Sequence, residues 1–141
     1  MNARAVHFLV PEGIDDPARV SGGNVFDRRL SAGLSAAGWV VRLTEVEVSE
    51  AAMRAALASV PGRGLVLVDG LVAGRAPAAI EDSAARLRIV VLAHMVSAAF
   101  PGADPRLIDD EHRALCAATA VIVTSPWTRS ELVGRELVPL D

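Results

Sequence analysis

With 141 residues, 52% of them hydrophobic, and a formal net charge of -3, the chain can bury one substantial core and has no general electrostatic pull toward nucleic acid or an anionic membrane. No apolar run reaches the roughly 18 residues of a membrane span, and the start of the chain lacks the apolar stretch and cleavage site of a signal peptide, so a cytoplasmic protein is expected. The single cysteine, Cys116, excludes an internal disulfide, and its setting in Leu115-Cys116-Ala117-Ala118 predicts a small core residue.

Short apolar runs alternate with helical patterns along the whole chain. Strands are predicted over residues 5–10, 39–46, 64–69, 88–93 and 120–124, each rich in valine, leucine and isoleucine and apolar on both faces, as buried parallel strands are. Between them, helices are predicted near 25–37, 50–59, 77–87 and 105–118, with a last one near 126–137. Ser49 and Ser125 stand where N-caps belong, and Gly38 and Gly62 where helices end. Strand-helix alternation with right-handed crossovers predicts a single α/β domain with a doubly wound, mostly parallel, Rossmann-like sheet covered by helices on both faces.

Ligands of such sheets bind outside the carboxyl ends of the strands. Four groups fall there: Ser21-Gly22-Gly23-Asn24 after the first strand, Asp69-Gly70 after the third, His94 after the fourth, and Thr124-Ser125 after the fifth. A glycine pair before a helix lets backbone approach a ligand, and the first N–H groups of the helix attract an anion such as phosphate. The same glycines could instead relax a long loop. The dozen residues from Pro11 to Gly22 are too many for the compact G-x-G-x-x-G turn of a nicotinamide enzyme.

Other constellations lead elsewhere or nowhere. Asp109-Asp110-Glu111-His112 lacks metal-ligand spacing, so no metal and no cofactor are expected. Ser97, His94 and Asp69 could suggest a hydrolase, but no G-x-S-x-G elbow presents a nucleophile. A receiver-type signalling domain would need paired acids after the first strand and a lysine near the fifth, and the chain contains no lysine. Asp15-Asp16 reads as a solvated turn, Arg28-Arg29 as an exposed helix patch, and His7 as structural.

Val6-His7-Phe8-Leu9-Val10-Pro11, Ser21-Gly22-Gly23-Asn24-Val25-Phe26-Asp27-Arg28-Arg29-Leu30, Ala37-Gly38-Trp39, Val90-Val91-Leu92-Ala93-His94 and the stretch from Ala120 to Arg129 occur in an order that resembles the N-terminal domain of retaining GT-B glycosyltransferases, family 4 in particular. The resemblance spans nearly the whole chain. It implies the acceptor-side half of an enzyme that moves a hexose from a nucleotide-sugar donor to an acceptor hydroxyl, the donor being held mainly by a C-terminal domain. The chain ends at Asp141 without such a half, so an isolated domain, inactive alone, is expected. Residue by residue, the resemblance places Ser21, Gly22 and Gly23 at the donor diphosphate and Asn24 in the cleft. It sets His94 beside the transferred sugar, where a neutral imidazole can hydrogen-bond a hydroxyl or position the reacting centre, with a structural histidine as the alternative, and Thr124 and Ser125 along the interdomain cleft, with capping of the next helix as the alternative for Ser125. Glu111 falls either near an acceptor pocket or on a solvated helix face. Peripheral membrane association and a homodimer stay open, and the alternative from another class is a non-catalytic Rossmann-like domain that binds a ligand or a protein.

Overall fold

The computed structural model describes residues 3–138. Five strands, β1 (Ala5–Pro11), β2 (Val40–Val46), β3 (Leu65–Asp69), β4 (Arg88–Ala93) and β5 (Ala120–Val123), form one sheet in the order β2-β1-β3-β4-β5. Every adjacent pair is parallel. The helices are α1 (Gly22–Ala36), α2 (Glu50–Ala58), α3 (Gly70–Ala73), α4 (Pro77–Ser83), α5 (Pro105–Ala117) and α6 (Pro126–Gly134). The expected doubly wound architecture is thus present, and none of the described helices is long and apolar enough to cross a membrane.

The pleat divides the apolar runs between two cores. Leu9, Val66, Val68, Ile89 and Val91 face the larger one, with Met53 and Leu57 of α2, Ile80 of α4 and Leu115 of α5. Their strand neighbours Val6, Phe8, Val10, Leu67 and Leu92 point the other way and meet Leu30 and Leu34 of α1. Strands covered on both faces lose the alternation of a half-exposed sheet, which is why their sequences run apolar throughout. The expectation of burial on both faces holds for β1, β3 and β4 and fails at the edges: β2 and β5 are largely exposed or half-buried, and Ile122 of β5 is open to solvent. An edge strand has a sheet neighbour on one side only, so fewer side chains cover it.

Three element boundaries differ from the sequence reading. α1 begins at Gly22, because Ser21 is its N-cap and accepts a hydrogen bond from Asn24 N at 3.1 Å; the glycines are the first helical turn rather than loop. α4 ends at Ser83, short of 87, and the chain turns so that the Arg86 guanidinium donates to the carbonyls of Leu57 and Val60 at the end of α2. α3 was not expected; Asp69 caps this single turn, accepting from Leu71 N at 2.8 Å.

Cys116 is exposed, contrary to the core position expected of it. On α5 the buried residues are Ala114 and Leu115, and Cys116 lies just past that stripe on the solvent side. The two acids of the early loop are more engaged than a solvated turn requires: Asp16 caps the 3-10 turn Pro17–Arg19, and Asp15 pairs with Arg28.

Candidate functional site

In the order β2-β1-β3-β4-β5 the connection from β1 leaves toward one edge and that from β3 toward the other, which opens a crevice at the carboxyl ends of these two strands. A cavity of about 380 Å³ lies there. Gly22 and Gly23 from α1, Asp69 and Gly70 from the end of β3, and His94 from the end of β4 line it, as do Ser21, Asn24 and Glu111. The glycine turn and His94 therefore share one sheet edge and one cavity.

Each glycine has its own reason to be there. A side chain at Gly22 would meet nothing within 4 Å, whereas a Cβ at Gly23 would come within 3.2 Å of His94 Cδ2. The helix start thus packs beside the imidazole at the cavity, and the Gly22 and Gly23 N–H groups, in the first turn, have no intrahelical acceptor. At the far side of the crevice a Cβ at Gly70 would lie 2.7 Å from the Leu92 carbonyl oxygen.

Two buried carboxylates surround His94. Its Nε2 is 2.9 Å from Asp27 Oδ1 and 3.3 Å from Asp69 Oδ2, and its side chain is 15% exposed against 0% for Asp27 and 4% for Asp69. Nδ1 lies 3.3 Å from Thr124 Oγ1. The Phe26 ring stands edge-on to the imidazole, centroids 5.2 Å apart and planes at 70°, and Thr128 Oγ1 donates to the His94 carbonyl at 3.3 Å.

Burial alone would lower the His94 pKa, but hydrogen bonds to Asp27 and Asp69 and their charges outweigh it and push it up to about 9. The neutral imidazole expected from the sequence is consequently not the form this setting favours. Burial raises Asp27 as well; the His94 hydrogen bond pulls it back, the neighbouring Asp69 carboxylate pushes it further, and the result is about 7. Asp69 is buried too, yet hydrogen bonds from His94, from Asp27 and from Leu71 N hold it below its ordinary value. Asp27 Oδ2 is buried without a hydrogen-bond partner, a setting that penalises the charged carboxylate more than the neutral acid. One ligand atom from each of the three residues lies within 4.8 Å of the others. A nitrogen coordinates a cation only after losing its proton, however, and Nε2 already directs that proton at two carboxylates.

The remaining expected residues divide. Asn24 lines the cavity while its side-chain amide donates to Arg19 O at 3.0 Å, tying the loop to the helix start. Glu111 lines the cavity and is not on a solvated face: its carboxylate accepts from Ser97 N at 3.0 Å and from Ser97 Oγ at 2.8 Å. Thr124 is reached through His94 and is not in the cavity wall, and Ser125 is spent as the N-cap of α6, accepting from Thr128 N at 3.1 Å. Ser125 thus takes the N-cap place that the sequence offers it, because the helix start needs an acceptor there.

Asp27 is the residue that sequence reasoning missed. It occupies a stripe position of α1, four residues after Gly23, three before Leu30 and seven before Leu34, where an acid interrupts an apolar series. That interruption was the available signal.

Compared with family models, with curated proteins and with solved structures, the chain matches none.

Proposed function

We propose that this chain is the acceptor-side domain of a retaining glycosyltransferase that moves a hexose from a nucleotide-sugar to an acceptor hydroxyl. The observation that carries the reading is the first turn of α1 opening, through Gly22 and Gly23, onto the same cavity as His94 at the carboxyl edge of the sheet. Backbone N–H groups at a helix start, beside a cationic imidazole, suit a group that gains negative charge as a bond breaks, as a departing nucleoside diphosphate does. The acceptor would enter along the Ser97 and Glu111 side of the cavity. A second domain would hold the rest of the donor, and its closure would exclude water.

One domain offers the donor only part of a site. Each neutral hydrogen bond contributes about 0.5 to 1.5 kcal/mol, against roughly 4 kcal/mol or more for lost translational and rotational freedom. Donor binding by this chain alone is thus expected to be weak, in the millimolar range, with no turnover. Titration of the isotope-labelled chain with uridine, guanosine and adenosine diphosphate sugars tests this by amide shifts. The expected shifts centre on Gly22, Gly23 and Asn24. Shifts confined to another surface would remove the reading, and micromolar binding or real turnover would show a complete site and end the half-enzyme interpretation.

A further inference from the structure

His94 is held in a way that favours its charged form. Nε2 faces two buried carboxyl oxygens, of which that of Asp69 is ionised, so it is placed to donate. Nδ1 lies 3.3 Å from Thr124 Oγ1, whose hydroxyl also lies 3.4 Å from the Ala93 carbonyl; with the hydroxyl hydrogen on that carbonyl, Nδ1 donates as well. Only the imidazolium has two N–H groups.

The ring is also held in orientation. Phe26 stands edge-on to it, its two nitrogens have partners from α1, the end of β3 and the end of β5, and Gly23 leaves no room for a side chain beside Cδ2. The groups facing it are Asp27 and Phe26 from α1, Asp69 from the end of β3 and Thr124 from the end of β5, with Thr128 of α6 at its carbonyl. A single carboxylate would suffice for orientation. A second one adds negative charge inside the protein, a cost that an apolar side chain at the Asp27 stripe position would avoid.

We infer that Asp27 and Asp69 are positioning residues that hold His94 as a fixed imidazolium in the wall of the cleft, presenting a permanent positive charge, beside the start of α1, to an anionic group of the ligand. That the anion is a leaving diphosphate rests on the function proposed above; the charge state and its cause do not. Neither acid needs to touch the ligand. Asp69, the ionised partner at neutral pH, sets the charge, and Asp27 shares the load as its own proton comes and goes.

Long-range nitrogen–proton spectra of the histidine side chains, recorded against pH on the intact chain, test this without any substrate. His94 is expected to carry both protons at pH 7.5 while His7, lowered by burial and by Arg42, is neutral. Asp69→Asn should lower the His94 pKa by about 1–3 units and Asp27→Asn by less, with His7 unmoved. A neutral His94 at pH 7 in the unaltered chain overturns the proposal, and this result needs no variant to fold. So does stoichiometric manganese broadening of the His94 resonances, which would make the three residues a cation site. Inorganic pyrophosphate then separates charge from scaffolding. For a fall of about 2 units, Asp69→Asn should weaken its binding several-fold at pH 8, where the variant's imidazole is largely neutral, and leave it near the unaltered chain's value at pH 6, where it is largely charged. Equal weakening at both pH values would reduce Asp69 to a structural role, and pyrophosphate binding with donor sugars excluded would retain the inference while removing the glycosyltransferase reading.

Discussion

Glu50 and Asp27 are both acids on helices with partners distant in sequence, and the fold uses them in opposite ways. At the seam between α2 and α4, the Glu50 carboxylate accepts from Ala78 N and Ala79 N, each at 3.0 Å. The N-cap position of α4 is Ala76, whose side chain cannot cap, so Glu50 supplies the acceptors from a neighbouring helix. In the cleft, Asp27 bonds no backbone at all; one oxygen faces an imidazole and the other is buried without a partner. A carboxylate whose oxygens end on N–H groups holds elements together, whereas one aimed at another acid and a histidine stores charge. Glu45, accepting from Gly13 N at 3.0 Å and Ile14 N at 3.3 Å, belongs with Glu50.

If the cleft stores charge, its stability must follow proton uptake. The folded His94 pKa of about 9 stands above its ordinary 6.5, so its contribution is complete below about pH 6.5 and is lost as pH rises through 9, on the order of 3 kcal/mol. Asp27 works in the same direction, since a pKa raised from 3.8 to about 7 favours the folded state until the proton leaves. Urea unfolding at successive pH values should show stability falling from about pH 4 to about pH 9. A flat or rising profile across this interval would place Asp27 and Glu50 in one class.

A smaller effect separates the two acids directly. Glu50→Ala leaves two helix-start N–H groups without acceptors, one of them on fully buried Ala79, and should cost about 2 kcal/mol. Asp27→Asn removes a buried charge from a crowded pair and should stay within about 1 kcal/mol of the unaltered protein. Both are read from urea midpoints at pH 7. Equal losses would break the distinction.

The smallest effect lies in the glycine turn. Gly22→Ala meets open space and should be neutral or add roughly 0.5 kcal/mol through reduced backbone freedom, leaving the His94 resonances in place. Gly23→Ala forces its Cβ against the His94 ring and should move those resonances at little cost in stability. Identical spectra for the two variants would mean the helix start does not brace the imidazole.

The sheet was legible because both faces of its central strands are covered: residues 65–68 and 89–92 run apolar within the paired segments, with the charged Asp69 and Arg88 at their ends. Helix starts at Ser49 and Ser125 were legible for a local reason, a side-chain oxygen reaching an N–H three residues on. The glycine start was misplaced by three residues because glycine has low helix propensity, and the Ser21 cap overrides that preference only once the helix is docked. His94 and the glycine turn were found by position at strand ends, but the charge of His94 was not. That charge depends on Asp27, 67 residues away, and on Asp69, which follows a different strand, and no local window contains either contact.

The approach of Gly70 to the Leu92 carbonyl has a mechanical meaning. With a Cβ absent, backbone packs closely on backbone, which ties the turn after β3, bearing Asp69, to the end of β4, bearing His94. An arriving anion would meet a dipole array already set at folding, and solvation of its charge would require little rearrangement of the protein around it. Close packing two residues from the imidazole would then set how little the site must move to receive a charged group.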